Sequence, residues 1–343
     1  MSRSSIVVGA AVALALLVTG CAATPASSGG VSDKSVTLYS GRSESLVKPV
    51  LEQFTAATGI AVDVRYGDTA QLAAQLVEEG ARTKAAVFLA QDAGGLGAVA
   101  KAGLFAPLPQ ATLDKVPAAY RDQSGAWVGV TGRSRVLAYN ETMIKAADLP
   151  ESVFDLVKPE WKGKVGVAPT NASFQSFITA IRVQHGDEKA REFLAGLAAN
   201  EPQLREKNGV IVADIEAGKF PVGLVNHYYV YERAAEVGVP VTELNTKLHF
   251  FGHGDSGALV NVSGVGLLAN QADPDGQALV DYLLSTPGQT YFAEKTFEYP
   301  LVTGIPTAPG LPALGELDAP KISLSSLSEL PATIAMIKEA GLL

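Results

Sequence analysis

The chain has 343 residues and a formal net charge of −8, with 35 acidic against 27 basic side chains. A body of roughly 300 residues is too long for one hydrophobic core, so two lobes are expected. The acidic balance and the absence of a basic block argue against nucleic acid and against an anionic membrane surface as ligands.

The N-terminal segment predicts export from the cytoplasm. A basic start precedes an apolar run over residues 6–18, which is too short to span a membrane comfortably and is typical of a secretory signal peptide.

The string Val18-Thr19-Gly20-Cys21 resembles a bacterial lipobox, in which the cysteine carries a diacylglycerol. Cys21 is the only cysteine, so no internal disulfide is possible. We expect a signal peptide over residues 1–20 and a lipidated, flexible tether over residues 21–35. The protein would then be extracytoplasmic and anchored to the cell membrane through its lipid alone.

The first half of the body alternates between strand and helix patterns. Apolar or alternating segments predict strands at residues 36–39, 60–66 and 85–90. Apolar residues at helical spacing predict helices around residues 46–54, 72–77 and 95–102. This β-α-β-α-β-α order implies a parallel sheet with right-handed crossovers.

The same alternation returns in the second half, where two extended segments look like connections between lobes. Strands are predicted at residues 164–168 and 221–225, with helices at 174–183, 188–198, 211–217 and from 231. The connecting segments are residues 127–139 and 258–268. Two α/β lobes joined by two crossings form a hinged clamp with the ligand held between them. We expect lobe 1 to comprise residues 36–132 and 260–305, and lobe 2 residues 133–259 and 306–343.

Two consecutive tyrosines, Tyr228 and Tyr229, follow the predicted strand at residues 221–225. At a strand-to-helix corner, neighbouring side chains can converge on one point, and the carboxyl ends of strands are where open α/β sheets bind ligands. Phenols titrate near about 10 and seldom ionise unaided, whereas a hard trivalent cation displaces their protons. The pair is therefore either two packing aromatic residues at an element end or a pair of oxygen ligands for a metal ion.

Six strings along the body carry a family resemblance: Tyr39-Ser40-Gly41-Arg42, Gly132-Arg133-Ser134-Arg135-Val136, Ala168-Pro169-Thr170-Asn171-Ala172-Ser173-Phe174, Asn226-His227-Tyr228-Tyr229, Asp255-Ser256-Gly257-Ala258-Leu259-Val260 and Glu298-Tyr299-Pro300-Leu301. Together they resemble the ferric ion-binding periplasmic proteins of iron ABC importers. The resemblance runs from about residue 36 to the C-terminal helix, in order and at comparable spacing. It implies an α/β, two-lobed type II periplasmic-binding-protein clamp with two hinge crossings.

In that family the tyrosine pair supplies two phenolates to Fe³⁺, and an anion such as carbonate or phosphate completes the coordination. The resemblance therefore implies Tyr228 and Tyr229 as metal ligands and carbonate or bicarbonate as the anion. The anion-binding positions that it implies are Arg133 or Arg135, Asn171, Ser173 and Asn226. The loop from Asn171 to Ser173 also precedes a predicted helix, whose N-terminus attracts anions.

The sequence departs from one branch of the family, which uses a histidine and a glutamate where this chain has Ser43 and Gln91. Iron(III) prefers anionic oxygen donors, so another group must replace them. Tyr66, at the end of a predicted strand, is either a third phenolate or an aromatic residue on the lobe surface. With three phenolates, a bicarbonate would be balanced by an arginine such as Arg42. Arg133 and Arg135 alternate along one strand, so one of the two is expected to face the cleft.

Several other functions compete with this interpretation. The string Gly254-Asp255-Ser256-Gly257 matches a serine-protease motif, but no histidine lies in a partner motif and the chain alternates α and β, so no enzyme is predicted. A two-lobed body of this kind could also bind a phosphonate, a polyamine or another small solute. The sequence thus predicts a monomeric lipoprotein that captures ferric iron and passes it to an ABC transporter permease.

Overall fold

A mixed β-sheet with helices packed against it makes up the part of the chain that the structure describes. The structure is a computed structural model that describes residues 34–343, so the predicted signal peptide, Cys21 and nearly all of the tether lie outside the described residues. The strands are β1 (Ser35–Ser40), β2 (Ala61–Tyr66), β3 (Val87–Ala90), β4 (Phe105–Ala106), β5 (Val128–Asn140), β6 (Val165–Val167), β7 (Gln203–Leu204), β8 (Val222–Asn226), β9 (Thr246–His249), β10 (Val260–Leu268) and β11 (Tyr299–Pro300).

Helices follow most of these strands, in the alternating order that the sequence predicts. They are α1 (Glu44–Thr58), α2 (Thr69–Glu79), α3 (Ala93–Lys101), α4 (Gln110–Leu113), α5 (Ala172–His185), α6 (Asp187–Ala199), α7 (Asn208–Glu216), α8 (Tyr228–Val237), α9 (Pro274–Leu283), α10 (Thr286–Lys295) and α11 (Leu330–Glu339). Gly59 and Gly238 end α1 and α8 in the left-handed conformation, with φ of 74° at both residues, which glycine adopts without a side-chain penalty.

The sheet has the order β2-β1-β3-β10-β5-β8-β6-β7, with β4, β9 and β11 pairing off this path. Strands β1, β2 and β3 are parallel to one another, as are β8, β6 and β7. Strands β10 and β5 run antiparallel to each other and to their outer neighbours β3 and β8. The sheet is therefore mixed, because the two predicted crossing segments insert as an antiparallel pair between two parallel sets.

Strand β5 changes its partner part of the way along its length. Residues up to Ser134 pair with β10, and residues from Arg135 to Tyr139 pair with β8. Thus β5 belongs to both parts of the sheet, with the Arg133–Arg135 string at the change of partner. The division into two lobes at residues 132/133, 259/260 and 305/306 stays a prediction.

The core positions the site by holding α8 on β8. Strands β3, β8 and β10 are buried at every residue, as expected for continuously apolar strands that helices cover. One buried cluster joins Val225 of β8, Val230 and Ala234 of α8 and Ile211 of α7. Each fully buried aliphatic side chain contributes about 1.5–3 kcal/mol, so α8 is held firmly by its apolar face. Within residues 34–343, no helix is both long and apolar enough to cross a membrane.

Candidate metal-binding site

Tyr228 and Tyr229 are the first two residues of α8, directly beyond the carboxyl end of β8. The chain turns into the helix at His227, whose φ of −54° and ψ of −40° are already helical. The two rings stack with their centroids 4.2 Å apart and an angle of 29° between their planes. This corner, which the sequence pattern anticipates, brings both rings to the wall of one cavity.

The cavity has a volume of about 880 Å³ and is lined by several separate segments of the chain. The lining comes from the ends of β1, β2 and β3, from the starts of α5 and α7, and from α8. The lining residues are Gly41, Arg42, Ser43, Ser45, Leu46, Tyr66, Gly67, Asp68, Gln91, Asn171, Lys207, Gly209, Val210, Ala213, Tyr228, Tyr229, Glu232, Arg233 and Glu236.

Tyr228 is buried except where it meets the cavity. Its side chain is 1% exposed, and among residues 34–343 no hydrogen-bond partner is found for its hydroxyl. Burial and the neighbouring Tyr229 raise the pKa of the Tyr228 phenol well above its usual value, whereas Arg42 and Arg133 act to lower it. The phenol therefore keeps its proton unless a strong cation enters the cavity to replace it.

Two of the predicted anion-binding arginines share one buried carboxylate. Arg42 Nη2 lies 2.9 Å from Glu298 Oε2, and Arg133 Nε lies 3.7 Å from Glu298 Oε1. Burial acts to lower the pKa of Arg42, but attraction to Glu298 and the tyrosines raises it overall. The pKa of Arg133 is lowered by burial and by the positive charge of Arg42. Arg42 lines the cavity, whereas Arg133 lies behind it.

The third arginine, Arg135, lies in a separate hydrogen-bonded chain. Its Nη1 donates to Ser173 Oγ at 3.1 Å and to Asn226 Oδ1 at 3.5 Å, and its Nη2 donates to the Leu224 carbonyl at 2.8 Å. Ser173 Oγ in turn donates to Asn171 Oδ1 at 2.6 Å. Burial lowers the pKa of Arg135 to about 9, against the attraction of the two tyrosines. Of the residues in this hydrogen-bonded series, Asn171 lines the cavity, whereas Arg135, Ser173 and Asn226 do not.

Tyr66 lies at the end of β2, where its backbone is in register with Ser40 at the end of β1. It lines the tyrosine cavity and also an adjacent groove against α1. Its ring is half-buried, and burial and then the Glu44 carboxylate raise the pKa of its phenol. The structure thus brings Tyr66 to the same cavity as the tyrosine pair, on the wall formed by β1, β2 and α1.

His227 lies away from the cavity and has a structural environment. Its Nδ1 accepts a hydrogen bond from the Ser134 amide at 3.2 Å, so its Nε2 carries the proton that is donated to the Phe297 carbonyl at 2.9 Å. Burial lowers the pKa of His227 to about 4. In the protease-like string, the Ser256 hydroxyl donates to Gln184 Oε1 at 2.6 Å and not to a histidine.

Two acidic residues near the site have no role in the sequence prediction. Glu298 pairs with the arginines, and its partner Arg42 is too distant in the chain for a sequence pattern to find. Glu232 lines the cavity one turn after Tyr228, and the helical spacing could have revealed it. Burial raises the pKa of Glu232 to about 7, with Arg42 acting against it. Residues 34–343 contain no group of three His, Cys, Asp or Glu side chains that could hold a metal ion.

Comparison with known proteins identifies the class to which this fold and site belong. Residues 83–314 match the family model of the bacterial extracellular solute-binding proteins. The chain is 35% identical over 314 residues to the Fe(3+)-binding periplasmic protein of Serratia marcescens, covering 91% of this chain and 92% of that one. It therefore belongs to a family of extracytoplasmic solute-binding proteins, which are not enzymes.

Solved structures agree with this family assignment and with the predicted type II fold. Iron-bound HitA from Pseudomonas aeruginosa superposes with a TM-score of 0.84 at 36% identity, covering 90% of this chain and 99% of that one. A Trichodesmium protein in complex with iron and citrate ligands superposes with a TM-score of 0.77 at 28% identity, covering 90% of this chain and all of that one. Within the solute-binding family, the chain belongs with the periplasmic ferric ion-binding proteins, so the predicted family and fold are confirmed.

Proposed function

We propose that this protein captures ferric iron outside the cytoplasm and delivers it to an ABC importer. The observation that carries the proposal is the stacked Tyr228–Tyr229 pair, whose phenols line one cavity at the start of α8. Relatives that match over nine-tenths of their length are named for Fe(3+) binding, which favours iron over a phosphonate or a polyamine as the cargo.

The donor chemistry of the cavity supports a hard trivalent cargo. Phenolate oxygens are hard anionic donors, and each one that binds Fe³⁺ cancels one unit of its charge. Tyr228 and Tyr229 supply two of them, and Tyr66 is the predicted third across the cavity. Phenols are weak acids, and at neutral pH only a strongly polarising ion displaces their protons. Weakly polarising cations are therefore not expected to bind at this site.

A small anion is the second part of the proposal. Arg42 offers a guanidinium at the cavity wall, and Asn171 caps α5, whose first amide groups favour negative charge. These two residues are proposed to contact carbonate or bicarbonate directly. Arg135, Ser173 and Asn226 are proposed to support Asn171 through their hydrogen bonds, and Arg133 is proposed to add positive charge from behind.

Delivery requires the protein to remain near its permease. Lipidation at Cys21 is proposed to tether a monomer to the membrane, with residues 21–35 as the flexible connection. The two predicted lobes would close around the cargo and present the loaded form to the permease.

The lipid anchor is tested with a Cys21→Ser variant, which we expect to be released from the membrane fraction. Unchanged membrane retention of that variant would contradict the anchor.

The experiment that tests the proposed function is a titration of the purified protein with Fe³⁺ supplied as its nitrilotriacetate complex. We expect one bound iron per chain and a visible absorption band from phenolate-to-iron charge transfer. Zn²⁺, which has a filled d shell, should give no such band. If the protein retains no ferric iron after gel filtration and develops no band, the proposal is wrong.

The same titration identifies the anion. Bicarbonate-free buffer should weaken the band, and added bicarbonate should restore it. If citrate restores the band and bicarbonate does not, the cargo is a ferric citrate complex and the carbonate part of the proposal is overturned.

A further inference from the structure

Glu232 lies on the same helix and lines the same cavity as the tyrosine pair. It follows Tyr228 by four residues and Tyr229 by three, which are the spacings that place side chains on one face of a helix. Side chains in an α-helix also lean toward its N-terminus, so the Glu232 carboxylate is directed back over the turn that carries the two phenols.

Glu232 differs from the other acidic residues of the cavity in its surroundings. Glu236 is 70% exposed and accepts a salt bridge from Arg233 at 2.8 Å, and Asp68 is exposed. Glu232 is half-buried, and no hydrogen bond or salt bridge to it occurs among residues 34–343. A partly buried carboxylate that lacks a hydrogen bond or salt bridge loses hydration with little compensation, here only the more distant charge of Arg42, so this position is suited to receive a cation.

The charge balance of the cavity calls for such a group. Before Tyr66 or an anion joins from the other walls, the two phenolates of α8 leave one unit of the charge on Fe³⁺ uncompensated, and an unbalanced charge is costly in a cavity of reduced dielectric. The positive side chains on the walls, Arg42, Lys207 and Arg233, cannot supply a donor. Glu232 is the anionic oxygen on the wall that carries the tyrosine pair and is not already paired.

We propose that the Glu232 carboxylate is a direct ligand of the cargo ion, so that Tyr228, Tyr229 and Glu232 form a three-oxygen set on α8 alone. This inference rests on the proposed function. Its consequence is an order of binding: α8 neutralises and holds Fe³⁺ first, and Tyr66 or an anion joins from the other walls afterwards.

The test compares Glu232→Gln with the control Glu243→Gln, which removes one exposed carboxylate that does not line the cavity. Ferric affinity is measured by competition with citrate, and the phenolate-to-iron band is recorded for each loaded variant. We expect Glu232→Gln to lose more affinity than the roughly 10–100-fold that an outer-sphere change costs and to shift the band, while Glu243→Gln stays within about twofold of wild type. Thermal unfolding of the iron-free variants should be alike.

Equal affinity and identical bands for the two glutamine variants would overturn the inference while leaving ferric binding intact. Failure of the wild type to bind Fe³⁺ would overturn the proposed function together with this inference. If Glu232→Gln does not fold, Glu232→Asp supplies the test, because it keeps the charge but withdraws the oxygens by one methylene. Unchanged ferric affinity and an unshifted band in that variant would equally contradict direct ligation.

Discussion

Arg42 Nη2 lies 2.9 Å from Glu298 Oε2 although the two residues are 256 positions apart, and both side chains are buried. The second oxygen of the same carboxylate lies 3.7 Å from Arg133 Nε. Thr296 Oγ1 donates a further hydrogen bond to Glu298 at 3.0 Å. One carboxylate therefore balances two guanidinium groups, Arg42 at the cavity wall and Arg133 behind it, and both act to lower the pKa of the Tyr228 phenol.

Glu298→Gln should destabilise the iron-free protein strongly. The substitution removes the carboxylate that the two buried arginines share, and breaking a buried ion pair in this way costs about 3–5 kcal/mol. Denaturant unfolding at neutral pH measures the effect. The control is Glu44→Gln, which removes an exposed salt bridge to Lys48 on α1 and should hardly change the stability, because solvent screens the pair. Equal costs for the two variants would contradict the role of Glu298.

Ser173→Ala should also destabilise the protein, through the hydrogen-bonded chain behind Asn171. Ser173 Oγ accepts from Arg135 Nη1 at 3.1 Å and from Asn208 Nδ2 at 3.0 Å, and both donors are buried. Without Ser173 Oγ each donor keeps only a longer contact, at 3.5 Å, to Asn226 Oδ1 or Asn171 Oδ1. Poorly satisfied buried donors of this kind cost about 1–3 kcal/mol. Ser176→Ala, on the same helix, removes a buried hydroxyl that has no hydrogen-bond partner among residues 34–343, so its unfolding midpoint should hardly move. Equal unfolding midpoints for Ser173→Ala and Ser176→Ala would contradict a stabilising role for the hydrogen bonds of Ser173.

Gly223→Ala should strain the strand that leads to the tyrosine pair. A Cβ at Gly223 would lie 2.4 Å from Ile211 Cγ2 and 3.1 Å from Ile215 Cδ1, so α7 would have to move away from β8. Overpacking of this kind costs about 1–3 kcal/mol. Gly252→Ala, where a Cβ meets open space, is the control in the same unfolding measurement. Indistinguishable stabilities of the two variants would contradict close packing of α7 on β8.

Because of His249, the folded protein should lose stability in mild acid. Burial lowers the pKa of His249, while the hydrogen bond between its Nε2 and the Pro150 carbonyl, at 3.1 Å, acts in the opposite direction. A folded-state pKa below the unfolded value of about 6.5 means that the unfolded chain binds the proton more readily. The contribution of His249 is therefore fully present above about pH 6.5 and is lost as the pH falls through the folded pKa.

His249→Gln isolates this effect, because the glutamine amide can still donate to Pro150 but does not titrate. Unfolding midpoints of the iron-free proteins are compared at about pH 8 and about pH 5. The wild type should lose more stability between the two values than the variant does. Parallel losses would assign the acid sensitivity to other groups.

The sequence patterns that succeeded are local ones. The Asn226-His227-Tyr228-Tyr229 corner was predictable because an apolar run gives way to helical spacing within a few residues. The βαβ order likewise anticipates the parallel β1, β2 and β3 and the arrival of Tyr66 at the edge where β1 ends. Local propensity and period determine such features, so one stretch of chain is enough to recognise them.

The features that escaped prediction depend on contacts between distant segments. Nothing near Arg42 in the sequence points to Glu298, and the change of partner of β5 at Ser134 follows only once β10 and β8 are both in place. The sequence left open which of Arg133 and Arg135 faces the cleft. Neither lines the cavity, since Arg133 faces Glu298 and Arg135 bonds to Ser173. Strand alternation alone could not reveal these partners.

The central claim is that Tyr228 and Tyr229 bind ferric iron through their phenolate oxygens. The visible spectrum and ferric affinity of the double variant Tyr228→Phe/Tyr229→Phe test it most directly. Both rings remain, so the iron-free fold should persist. Tyr231→Phe is the control, because this hydroxyl on the same helix donates to the Pro309 carbonyl at 3.0 Å and does not line the cavity. We predict that the double variant loses the band and far more affinity than the roughly 10–100-fold that an outer-sphere change costs, while Tyr231→Phe keeps both. A double variant that binds Fe³⁺ as tightly as wild type, with an unaltered band, would mean that the pair serves packing alone.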